Sequence, residues 1–84
     1  MTRDEIREVV LSILAGIAPE IDVEEIRPGA DLRDELDIDS MDFLNLVTAL
    51  GERLQIDIPE IDYPNLATFG HAVDYLAQRV GAVA

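Results

Sequence analysis

The chain contains no cysteine and no lysine. The first absence excludes disulfides, a thiol nucleophile and thiolate metal sites. The second leaves six arginines as the only basic side chains, apart from one histidine, against eighteen carboxylates, for a formal charge of -12 at pH 7. Nucleic acid and anionic membranes call for a basic surface, so neither is expected as a partner of this chain. A strongly acidic surface favours solubility and partners with basic patches. Aromatics are scarce, with two Phe and two Tyr. Residues 9–18 are apolar-rich, but the run is too short to span a bilayer and follows an acidic lead. No secretory signal is legible, so a cytoplasmic location without stable membrane insertion is expected.

What is present suits one small domain over residues 1–84. Chains of this size lie near the lower limit for building a core without staples. The 49% hydrophobic content is enough for a core, so disorder is not expected despite the charge. The acids are uneven: ten fall between Glu20 and Asp42, and beyond Asp62 there is only Asp74.

Thr2-Arg3-Asp4-Glu5 reads as a capping box. Ile6, Val9, Val10, Ile13, Leu14 and Ile17 follow at helical spacing, which predicts a helix from about Arg3 to Ala15 or Ile17. Gly16 and Pro19 mark its end. Residues 18–39 form a long connection pinned by Ile21, Val23, Ile26, Leu32, Leu36 and Ile38, with a turn at Pro28-Gly29. Asp31 to Leu36 has room for one helical turn. A second long helix is predicted from Ser40 to Leu54, with Met41, Leu44, Val47, Leu50 and Leu54 on its buried face and Phe43 and Leu46 at the margins. Ile56 to Pro59 should be extended. Pro64 suits the first position of a short helix around Asn65 and Leu66. Thr68 should cap the last helix, which buries Phe69, Ala72, Val73, Leu76 and Val80 and stops at Gly81. Three principal helices and a short one are expected to pack as an antiparallel bundle with a long first loop.

The organising stretch is Leu36-Asp37-Ile38-Asp39-Ser40-Met41-Asp42-Phe43-Leu44. Asp39 is a good N-cap, because its carboxylate can accept from the free N–H groups of the first turn. Asp42 then lies where the helix dipole favours negative charge. Ser40 has two readings. It is either a capping or N1 residue and nothing more, or an exposed hydroxyl whose phosphate ester would sit at the positive end of a helix. Other chemistries fit less well. A calcium loop counted from Asp37 would need an oxygen ligand and then Gly where Met41 and Asp42 stand. A serine hydrolase would need a Gly-x-Ser-x-Gly elbow that the sequence lacks. His71 reads as a surface residue rather than a base.

Several segments together resemble the acyl carrier proteins of fatty-acid and polyketide biosynthesis. These are Asp31-Leu32-Arg33-Asp34-Glu35-Leu36, Asp39-Ser40-Met41, Ile56-Asp57-Ile58-Pro59, and Thr68 before Ala72-Val73-Asp74-Tyr75-Leu76, in the family's order and spacing. The resemblance implies an all-α, four-helix acyl-carrier-like bundle and a carrier rather than an enzyme. It implies that Ser40 receives 4′-phosphopantetheine from coenzyme A, and that the thiol of that arm then holds acyl groups as thioesters. A separate phosphopantetheinyl transferase would use magnesium and supply the catalytic groups, aided by Asp39. Asp34, Glu35, Asp37, Met41, Asp42 and Leu44 would meet the transferase and the acyl-loading and biosynthetic enzymes, through basic patches on those partners. The carrier itself is expected to be a monomer. Two features depart from the family's usual pattern. Met41 and Asn45 stand where Leu and often an acid are found, and Gly51-Glu52-Arg53 replaces a more acidic end of the second long helix. Asp-Ser-Met also occurs in D-alanyl carriers, so an aminoacyl cargo is an alternative. So is an unmodified acidic module that recruits a basic partner.

Overall fold

The computed structural model describes residues 1–81. Its elements are α1 (Arg3–Ile17), α2 (Leu32–Leu36), α3 (Ser40–Leu54) and α4 (Phe69–Val80), with 3-10 segments at Val23–Glu25 and Glu60–Leu66. The architecture is an all-α helical bundle, with no strand among the described residues.

The helix ends follow from local chemistry. Thr2 Oγ1 accepts from the Glu5 N–H at 3.1 Å, and the Glu5 carboxylate accepts from the Thr2 N–H at 2.8 Å. These reciprocal bonds satisfy two donors that a helix start leaves free. Thr68 Oγ1 accepts from the His71 N–H at 3.3 Å and opens α4. Gly81, at φ 65°, closes it in the left-handed region that glycine enters without strain.

α1 packs against both α3 and α4, and α4 also packs on the Glu60–Leu66 segment. The core is apolar throughout, with Ile6, Val10, Leu14, Leu32, Leu50, Leu66 and Leu76 fully buried. At about 25 cal/mol per Å² of apolar surface removed from water, such side chains supply the main driving force for the fold. Leu11 also belongs to this core, whereas Ile13 and Ile17 are only partly buried against it.

Two expectations need correction. Met41 and Leu44 do not lie on the buried face of α3: they are 66% and 44% exposed, while Leu46 is 1% exposed. Each helical residue advances about 100°, so steps of three fall about 60° short of a full turn. The run Met41, Leu44, Val47, Leu50 therefore winds round the helix, and the buried stripe is Leu46, Val47, Leu50 and Leu54. Second, the short segment near Pro64 starts at Glu60, with Pro64 inside it. Pro59, extended at φ -70° and ψ 151°, launches it, and the Asp62 N–H donates to the Pro59 carbonyl at 2.9 Å. A 3-10 segment bonds every third residue, so Pro64 forfeits one donor without breaking the next bond, from Ala67 N–H to the Pro64 carbonyl at 3.3 Å.

The long first connection is held to the start of α4 by backbone bonds. The Leu32 N–H donates to Ala67 at 2.8 Å, Phe69 to Ala30 at 3.3 Å and Gly70 to Pro28 at 2.8 Å. Ile26, Leu32, Leu36 and Ile38 anchor it from below. This clamp fixes α2, and with it the chain that delivers Asp39 and Ser40.

Candidate functional site

The site is the corner between α2 and α3. Asp31 caps α2, its Oδ1 accepting from Arg33 N–H at 3.0 Å and Asp34 N–H at 3.2 Å. Asp37 ends α2 in the left-handed region at φ 53°. Aspartate is among the few non-glycine residues that tolerate this conformation. The reversal drops Ile38 into the core at 8% exposure and leaves Asp39 extended at the mouth of α3.

Asp39, not Ser40, is the cap: its Oδ1 accepts from the Asp42 N–H at 2.9 Å. Ser40 is the first residue of a 15-residue helix, with its side chain exposed. The N-cap half of the plainer reading of Ser40 therefore fails, its N1 half holds, and the hydroxyl is not used to cap the helix. One contact holds it. Arg33 Nη2 donates to Ser40 Oγ at 3.0 Å. That bond uses an oxygen lone pair and leaves the hydroxyl proton free to be given up. The dipole of α3 adds positive potential at the same point.

Most of the other expected site residues lie near this corner, but Glu35, about 200° round α2 from Arg33, lies toward Arg27 instead. Asp34, Glu35 and Asp37 are exposed on or just after α2, and Asp42 is half-buried in the first turn of α3. Glu35 lies 3.9 Å from Arg27. Met41 and Leu44 present exposed apolar surface beside Ser40. An open cleft of about 430 Å³ adjoins the serine, walled by Arg33, Phe43, Leu44, Tyr63 and Pro64. Phe43 and Tyr63 meet edge to face, with centroids 6.3 Å apart, and tie α3 to the 3-10 segment at the back of the cleft. His71 is exposed on α4 and borders a different hollow, with Asn65, Asp74, Tyr75 and Gln78. Among the described residues no group of three or more His, Cys, Asp or Glu is placed to hold a metal ion.

Arg33 is the residue that sequence reasoning missed as part of the site. Its signal was present: it is the one cation between Asp31 and Asp42, amid six acids. Only the reversal at Asp37, between α2 and α3, brings it, seven residues earlier in the chain, to the serine oxygen.

This geometry can be set beside known proteins. Residues 8–76 match the family described as "Phosphopantetheine attachment site". The chain is 37% identical over 81 residues to an acyl carrier protein of Streptomyces coelicolor, covering 96% of this chain and 84% of that one. It is 36% identical over 74 residues to an acyl carrier protein of Acidothermus cellulolyticus, covering 84% and 88%. A solved structure of the acyl carrier protein from Enterococcus faecalis superposes with a TM-score of 0.81 at 26% identity, covering 94% of this chain and 99% of that one.

Proposed function

The chain belongs to the acyl carrier proteins, non-catalytic carriers that bear phosphopantetheine for acyl-chain biosynthesis, and from that premise we propose that Ser40 is its attachment residue. The observation that carries this reading is the spare, exposed Ser40 hydroxyl at the start of α3, with its cap supplied by Asp39 and a guanidinium at 3.0 Å.

The residues present fit the group. A phosphodiester is an anion, and this corner offers a helix N-terminus and one arginine fork. In the attachment step Ser40 Oγ attacks the phosphorus of coenzyme A that bears the pantetheine. The new Oγ–P bond forms as the phosphoanhydride bond breaks, 3′,5′-ADP leaves, and the serine proton passes to a base on the transferase. Asp39 keeps the first turn of α3 intact, so Ser40 is presented at a fixed point rather than on a fraying end. When bound, the arm supplies a thiol that holds acyl groups as thioesters. Phe43, Leu44, Tyr63 and Pro64 offer apolar cleft wall next to that point.

The partners in this reading are a phosphopantetheinyl transferase and acyl-loading and biosynthetic enzymes with basic patches. They would meet Asp34, Glu35, Asp37, Met41, Asp42 and Leu44, on α2, the turn after it and the first turns of α3. The unit is a single domain, residues 1–84, acting as a cytoplasmic monomer. Among the described residues no helix is long and apolar enough to cross a membrane. Exposed neutral Asn45 and Thr48 and basic Arg53 further along α3 favour a dedicated partner over a generic fatty-acid one.

The test is Ser40→Ala with coenzyme A and a promiscuous transferase. Loading should vanish while melting changes little, because the cap resides on Asp39. Asp39→Ala should instead cost about 1 kcal/mol of stability. A Ser40→Ala protein that still gains the group, or a wild type that never does, would favour an unmodified acidic module.

A further inference from the structure

We propose that Arg33 clasps the phosphodiester that joins the arm to Ser40, a role that rests on Ser40 being the attachment residue. Four other arginines have carboxylate partners: Arg3 with Asp74, Arg7 with Glu8, Arg27 with Glu35 and Arg79 with Asp62. Arg33 shares a hollow with Asp31, Asp34 and Asp37, yet among the described residues it pairs with none of them. Its guanidinium donates instead to the serine oxygen at 3.0 Å.

Modification would change what that guanidinium faces. The ester adds a negative charge to a chain already at -12, at a corner crowded by six acids. Self-repulsion there opposes the modified state. Arg33 is the cation within reach, and only one of its five N–H donors is engaged with Ser40 Oγ. The non-bridging phosphate oxygens would lie two bonds beyond Oγ, through the phosphorus, within range of the remaining donors. A planar fork gripping two oxygens also restrains the first torsions of the arm, which a lysine point charge cannot do as well.

Wild type, Arg33→Gln and Arg33→Lys would each be prepared unmodified and modified, as full chains. Intact mass and fragmentation verify a single group on Ser40. Melting at low salt and the phosphorus-31 resonance of the modified forms are then recorded. Comparing modified with unmodified protein for each variant cancels the general effect of the substitution. Loading should leave the wild-type melting temperature nearly unchanged. It should lower that of Arg33→Gln by about 1–5 °C, the scale of an exposed charge pair in a domain of this size. Raising salt to about 0.5 M should shrink the difference. Arg33→Lys should recover part of the melting shift but not the wild-type phosphorus resonance. Equal melting shifts on loading in wild type and Arg33→Gln, with one phosphorus resonance for both, would overturn the clasp. Should Arg33→Gln fail to fold, Arg33→Lys decides alone, and a resonance matching wild type would refute the fork. A group attached elsewhere than Ser40, or none at all, would instead overturn the attachment reading, and the clasp with it.

Discussion

The backbone N–H of Gly70 donates to the carbonyl oxygen of Pro28 at 2.8 Å, and that contact leaves no space for a side chain. A Cβ at position 70 would meet the Pro28 oxygen at 3.0 Å and the Pro28 Cβ at 3.3 Å. The pair ties the long first loop to the start of α4, and so holds the platform on which Ser40 stands. Gly70→Ala should therefore destabilise by about 1–3 kcal/mol, as overpacking against backbone does. Gly16→Ala is the control: its Cβ meets nothing within 4 Å inside α1, so it should gain up to about 1 kcal/mol. Urea denaturation of the two variants checks the contrast.

A second tie joins α4 to the 3-10 segment behind the cleft. Tyr75 donates to Asp62 Oδ2 at 2.7 Å, Arg79 Nη1 donates to the Tyr75 hydroxyl at 2.7 Å, and Arg79 Nη2 donates to the Asp57 carbonyl at 2.6 Å. Burial, and then the bond to Asp62, raise the Tyr75 phenol above its ordinary value of 10.0. A raised folded value means the native state keeps the proton longer than the unfolded chain does. The associated stability is thus present below about pH 10 and falls as pH rises through the folded value. Tyr75→Phe should lower stability at pH 8, because Asp62 and Arg79 lose their shared partner. It should also flatten the alkaline decline. Thermal melts across the alkaline range test both, and identical slopes in the two proteins would contradict the assignment.

Much of this was legible in the sequence, for identifiable reasons. Thr2, Asp39 and Thr68 announce the helix starts because capping depends on neighbours in sequence. Ser40 and its acidic approach stand out for the same reason. The face of α3 was misread because residues three apart drift round the helix, so exposed Met41 and Leu44 passed for core. Arg33 escaped because its partner is reached only through the left-handed reversal at Asp37. Gly51 stood out in the sequence only as part of a less acidic end of α3. Its Cβ would meet the Ile56 carbonyl at 3.0 Å, so it serves the turn that ends α3.

Partner choice should follow charge along α3. Asp34, Glu35, Asp37, Asp39 and Asp42 crowd the approach to Ser40, while exposed Asn45, Thr48 and Arg53 lie further along. A partner built to pair basic side chains with acids at the latter positions loses pairs and meets one like charge. Asn45→Glu and Arg53→Glu should raise turnover by a generic fatty-acid partner, with a smaller gain at high salt. No change with either variant, or wild-type turnover equal to that of a housekeeping carrier, would remove the case for a dedicated partner.

The central claim is that Ser40 alone carries the arm. Intact mass of the full chain, after incubation with coenzyme A, magnesium and a promiscuous transferase, followed by fragmentation to locate the added mass, addresses it most directly. The account predicts one phosphopantetheinyl group per chain, on Ser40, with Ser12 and Thr48 unmodified. An unchanged mass, or a group on any other residue, would contradict it.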